Sequence, residues 1–162
     1  MIITSRSARR KARNTVGVGT VVLALTAALL GAPATASADP NPTLLDLINH
    51  QRADANPSCK ALNPNPQLQA AADRHAKDFA TNGWRNDHDD SDGTTMKQRI
   101  VQAGYTYGTI AENQAMNSSA QAAVNSWMNS KGHNANMLNC TLTDAGTASY
   151  GSIYVAVFAR PL

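Results

Sequence analysis

One glutamate and four histidines hold most of the acid–base and metal-binding chemistry available to this chain of 162 residues. The glutamate, Glu112, stands in "IAENQA", among apolar and amide side chains rather than on a charged helix face. A carboxylate in such a run is either a buried, hydrogen-bonded structural group or a member of a site, and both readings stay open. His50 lies beside Asn49 in a polar stretch and reads as surface. His75 falls on the apolar side of a helical pattern, where a satisfied core histidine is a plainer reading than a ligand. His88 sits among Asp87, Asp89 and Asp90, whose charges favour its protonated form. His133 follows Gly132 in "SWMNSKGHNANMLNC", directly after what reads as a helix stop. Two loop imidazoles can converge across a cleft more easily than two on a helix face. With a carboxylate nearby they could hold a divalent metal or activate a water.

Other chemistries are excluded by the absence of their spacing. There is no HExxH for a zinc protease, no GxSxG for a hydrolytic serine and no GxxxxGK[ST] phosphate loop. "HDDSDG" (88–93) superficially suggests calcium. With the loop glycine at Gly93, however, the first ligand position is His88 and the twelfth is Arg99. An EF-hand needs an acidic residue at the first and a bidentate glutamate at the twelfth.

The elements that must position these residues follow from periodicity. Thr43 can cap a helix carrying Leu44, Leu45, Leu47, Ile48 and Arg52. "NPSCKALNPNP" is a proline-punctuated loop. Leu68, Ala71, Ala72, His75, Ala76, Phe79 and Ala80 form an unbroken helical stripe that ends near Asn82–Gly83. A polar acidic loop leads to a short helix through Met96, Arg99, Ile100 and Ala103, stopped by Gly104. "YTYGTIAENQAM" reads as strand and loop. Ser118 or Ser119 caps a helix with Ala120, Ala123, Val124, Trp127 and Met128 inward, and Gly132 ends it. "CTLTDAGTAS", a Tyr-Gly-Ser turn and "IYVAVFA" form a β-hairpin. Helices come first and strands late, which predicts an α+β fold.

Residues 1–38 read as a secretory signal peptide. "RSARRKAR" is the basic region, "VGVGTVVLALTAALL" the apolar one and "ASA" the cleavage signature. The apolar run is shorter than the roughly 20 residues a membrane-spanning helix needs. The Arg9–Arg10 pair matches a twin-arginine signal poorly. Five of the 14 Lys and Arg lie in this segment with none of the 11 Asp and Glu, so the remainder carries a formal charge of −2. The basic balance thus belongs to the leader and does not point to nucleic acid. Residues 39–162 suffice for one domain. Its only cysteines, Cys59 and Cys140, are expected to pair in an oxidising compartment.

In this order and spacing the motifs resemble a bacterial member of the CAP superfamily (cysteine-rich secretory proteins, antigen 5 and pathogenesis-related proteins), also called SCP-like. "LLDLINHQR" and "LQAAADRHAKDFA" resemble its first two helices. "HDDSDG" with Arg99 is similar to its H-x-x-x-D-G…R, and "AEN" to its Gly-Glu-Asn, with Ala111 in place of glycine. "WMNSKGHNANMLNC" resembles the bacterial W-M-x-S-x-G-H-x-x-N-I-L. The resemblance covers residues 43–160 and implies a three-layer α-β-α sandwich with a central cleft.

By the same resemblance the cleft comprises His88, Glu112, Asn113, Ser130, His133 and Asn136. His88 and His133 would bind a divalent metal such as zinc, weakly, because two imidazoles fall short of the three or four protein ligands zinc usually takes. Glu112 would hold one imidazole in a single tautomer. Eukaryotic relatives have a second acid where this chain has Ser130, and bacterial relatives commonly have serine. Relatives have been linked to lipid binding and to extracellular defence. The expectation is therefore a secreted monomeric binding module, without a membrane span in its mature form, for a small hydrophobic ligand or cell-envelope component. The alternative is a metal-assisted extracellular hydrolase using His88 or His133 with Glu112. A third reading makes the cleft vestigial.

Overall fold

Helix capping, strand alternation and one close backbone approach account for the architecture of the computed structural model, which describes residues 43–162. The leader assigned to residues 1–38 lies outside the described residues. Helix α1 (Leu44–Ala55) begins with a reciprocal capping box in which the Thr43 hydroxyl accepts from the Asp46 amide and the Asp46 carboxylate accepts from the Thr43 amide. Helix α2 (Pro66–Asn82) starts at the Asn65 cap with proline in its first turn and ends at Gly83, whose φ is 96°. Helix α3 (Met96–Gln102) has a second capping box, Thr95 with Gln98.

The sheet has the order β1-β3-β4-β2. Strand β1 is only Asn63–Pro64, parallel to β3 (Asp144–Tyr150). The sequence pattern gave no sign of it, because two residues inside a proline-rich loop carry no alternation. Strands β3 and β4 (Ile153–Pro161) form the expected hairpin across Gly151–Ser152, and β2 (Tyr107–Met116) pairs antiparallel with β4. The segment expected as strand and loop has loop only at Tyr105–Thr106 and is strand from Tyr107 on, with Glu112 in its middle.

Alternation along β4 sorts the core into two layers. Ile153, Val155, Val157 and Ala159 pack with Leu68, Ala72, Phe79 and Ile100 of α2 and α3. Ala156 and Phe158 face the opposite way, onto Leu44, Ile48, Val124, Trp127 and Met137. Helices therefore cover both faces, the α-β-α arrangement. Val155 to Ala159 are all fully buried, as a strand sandwiched on both sides requires. At Gly146 of β3 the backbone of α2 comes so close that an added Cβ would collide with Leu68 and Gln69 main-chain atoms.

The Trp127 helix is in fact two. Helix α4 (Ala120–Met128) is capped by Ser119, and helix α5 (Lys131–Met137) starts anew from Ser130 in an extended conformation. Gly132 is therefore the second residue of a helix rather than a helix stop, and His133 lies in its first turn. Beyond α5, Cys140 is bonded to Cys59 with Cα atoms 5.2 Å apart over a separation of 81 residues. Loop closure of this length contributes about 4 kcal/mol by chain-entropy reasoning.

A buried arginine joins the same two regions. Arg52 of α1 is 1% exposed. It donates to Lys60 O (3.0 Å), Met137 O (2.7 Å), Asn139 O (3.0 Å) and Leu142 O (3.2 Å). Four backbone carbonyls thereby find a partner in one planar guanidinium. Among the described residues no helix is long and apolar enough to cross a membrane.

Candidate functional site

The site is built around the buried end of β2. Strand alternation sends Glu112 and Gln114 toward α2 and α3 and sends Asn113 toward α5. Glu112 is 3% exposed and meets Arg99 of α3 in a two-point pair, Nη2 standing 3.0 and 2.9 Å from its two oxygens. Oε1 also lies 2.9 Å from His88 Nδ1. Burial pushes the Glu112 carboxyl up, but the His88 hydrogen bond and the charges of Arg99 and His75 outweigh it, leaving it below its ordinary value.

His88 is fixed by these contacts and by the donation of Arg99 Nη1 to its own carbonyl at 2.9 Å. Its side chain is half exposed, with Nδ1 engaged inward and Nε2 free of any hydrogen bond among the described residues. The bond to Glu112 raises the proton affinity of His88, and partial burial opposes this. Across the edge strand, His133 is half-buried and its ring makes no hydrogen bond among the described residues. Burial depresses its proton affinity, and the charge of nearby His88 depresses it further. One imidazole is thus oriented by a carboxylate, while the other is kept neutral, the form that binds metal.

Asn113 and Asn136 do a different job on the far face of β2. Asn113 Nδ2 donates to His133 O at 3.0 Å, and Asn136 Nδ2 donates to Asn113 Oδ1 at 3.0 Å and Glu112 O at 3.3 Å. This amide chain pins the first turns of α5, and so His133, onto the sheet. Ser130 precedes α5 without a side-chain capping bond. The six residues expected in the cleft thus reach one edge strand from two sides. His88 pairs with Glu112 on one face, and from the other Asn113, braced by Asn136, holds the backbone carbonyl of His133, whose ring lies near enough to His88 to feel its charge. Among the described residues, no group of three or more His, Cys, Asp or Glu side chains is arranged to hold a metal.

Behind His88 lies a polar network that the sequence concealed. Asp90 is 5% exposed and accepts from Arg74 Nε (2.8 Å), Arg99 Nη1 (3.0 Å) and His75 Nδ1 (2.6 Å). The satisfied core histidine expected at position 75 is what the structure contains. Asp78 of α2 meanwhile accepts from the Ser91 amide and hydroxyl and from Arg85. The acidic loop is thereby tied to α2 along its length. One signal for Arg99 was available: a cation next to Ile100 on the inward stripe of a short helix requires a buried anion.

Acid should therefore unfold the protein from this side. Asp78 is raised by burial but lowered further by its Ser91 and Arg85 hydrogen bonds, and Glu112 is lowered as described. Both bind fewer protons folded than unfolded, so their stabilisation is complete above their unfolded values and is lost as pH falls. The melting temperature by circular dichroism is expected to drop steeply below about pH 4. A flat profile down to about pH 2 would contradict the network's role.

Comparisons with known proteins agree with this architecture. Residues 45–156 match the family model described as CAP, cysteine-rich secretory protein family. A solved extracellular protein containing an SCP domain from Bacillus anthracis is similar at 30% identity and a TM-score of 0.68, over 72% of this chain and 39% of that one. This chain thus spans about two fifths of that protein's length. An outer surface protein of Borrelia burgdorferi shares the fold at 23% identity and a TM-score of 0.64, covering 74% of this chain and 90% of that chain. A cysteine-rich secretory protein from Staphylococcus aureus does so at 21% and 0.61, over 76% and 40% respectively. No curated protein matches the chain.

Proposed function

The chain belongs to the cysteine-rich secretory protein (CAP) family, and from that membership we propose that it is an exported binding module rather than a hydrolase. Its disulfide and the description of relatives as extracellular or outer-surface proteins support a place outside the cytoplasm. Its partner is a small hydrophobic ligand or a cell-envelope component, the class the family resemblance implies. His88 and His133 together offer a divalent cation two imidazole nitrogens, with water or a bound ligand completing the shell.

One observation carries the choice of binding over hydrolysis. Both Glu112 oxygens are occupied by Arg99, and Oε1 also by His88. A general base needs a free oxygen and a proton affinity near working pH, whereas this carboxyl is buried, paired and lowered. What it does suit is holding His88 Nδ1 so that Nε2 faces outward. A bound cation would supply Lewis acidity and electrostatic attraction for a ligand; the chain's residues supply its orientation.

Zinc titration of the purified protein by calorimetry tests this reading. We expect one weak site per chain, lost in His133→Ala. Its affinity should also decline as acidification protonates His88, whose proton affinity is raised above the ordinary 6.5. Failure of the wild type to take up zinc would remove the cation from the proposal. Turnover of a peptide, ester or glycan that disappears in Glu112→Gln would overturn binding in favour of hydrolysis.

A further inference from the structure

His75 is fully buried and takes no part in the cation site proposed above, yet both of its ring nitrogens are engaged. Nδ1 lies 2.6 Å from Asp90 Oδ1 and Nε2 lies 2.8 Å from Gln114 Oε1. The orientation of the Gln114 amide is fixed from its other end, where Nε2 donates to the carbonyl of Asp87. A backbone carbonyl can only accept, so the Gln114 oxygen must be the atom turned toward His75. His75 Nε2 therefore carries a proton.

The same reasoning applies at Nδ1. Asp90 forms ion pairs with the guanidinium groups of Arg74 and Arg99, so it meets the ring as a carboxylate, an acceptor only. It can only accept from His75, so Nδ1 carries a proton too. We infer that His75 is an imidazolium with both nitrogens donating, and that it acts as a positioning residue for the loop that bears His88.

The network around the ring also pairs Asp90 with Arg74 and Arg99, and Glu112 with Arg99. His75 Nε2 is 3.7 Å from Glu112 Oε1 as well as bonded to Asp90 through Nδ1, so it stands between the two anions. His88 meets the same Glu112 oxygen and is half exposed. The Phe79 ring packs against the His75 imidazole, with centroids 4.2 Å apart.

This arrangement gives the loop two anchors on one ring. Through Gln114 the imidazolium holds the Asp87 carbonyl, and directly it holds Asp90. These residues flank His88 on either side.

Ring nitrogen NMR of the labelled wild-type protein tests the assignment without any substitution. At about pH 7.5, where an unperturbed histidine is mostly neutral, His75 is expected to show protons on both nitrogens. A spectrum with one protonated nitrogen would overturn the inference.

Discussion

Gly146→Ala is expected to yield little or no folded protein. The position needs no unusual backbone angle, so the effect is one of space alone. The first turn of α2 rests its Leu68 and Gln69 backbone on the place a side chain would occupy. A flexible side chain could swing away, but main-chain atoms can yield only if the helix moves. That helix carries Leu68, Ala72, His75 and Phe79 into one core layer, so moving it opens the layer. Overpacking of a tight core costs about 1–3 kcal/mol, occasionally more, and a backbone collision belongs at or above the top of that range. Urea unfolding monitored by far-UV circular dichroism measures the loss. Gly132→Ala is the matched control, since an added methyl there meets nothing within 4 Å. It is expected to leave the midpoint unchanged or raise it slightly. Equal behaviour of the two variants would show that α2 does not rest on β3 as described.

The second large effect is expected at Arg99. Arg99→Met keeps the length of the side chain and removes its charge, leaving Glu112 and Asp90 buried with their shared cation gone. Breaking a buried pair from one side costs about 3–5 kcal/mol, because the abandoned charge stays in a medium that solvates it poorly. Pairing it with Glu112→Leu should recover much of that loss, since a buried ion pair replaced as a unit by apolar groups is often close to neutral. Denaturant midpoints of the two single variants and the double variant measure both outcomes. If Arg99→Met proved as stable as the wild type, the network would be an ornament of the fold rather than its support. Among the described residues Arg99 Nε has no hydrogen-bond partner, so the guanidinium is stabilising through its two terminal nitrogens.

The elements were largely legible in the sequence because each rests on a local signal. Thr43, Gly83, Gly104 and the Tyr-Gly-Ser turn end or begin elements where capping chemistry dictates. The one helix misread, at Gly132, shows the limit of such signals. A break at Asn129–Ser130 has no glycine or proline to mark it, whereas a glycine near a helix start costs little and misleads. The site was legible in part. Sequence order can suggest that His88 and Glu112 meet, but not that a strand separates Asn113 and Asn136 from them. Alternation along β2 decides that, and it required knowing that the strand runs unbroken through Glu112. Gln114 was invisible for a different reason. Its importance lies in a hydrogen-bond direction imposed by the Asp87 carbonyl, which only a folded chain contains.

Arg52 bears on how the cysteines come together. Its guanidinium holds the carbonyl of Lys60, next to Cys59, and that of Asn139, next to Cys140. A reduced chain that has folded this far already keeps its two thiols as neighbours. Their meeting no longer depends on random closure of a long loop; it proceeds at the high effective concentration of an intramolecular encounter. Oxidation then seals an approach that hydrogen bonds have made, and contact with a thiol on another chain is outcompeted at ordinary protein concentrations.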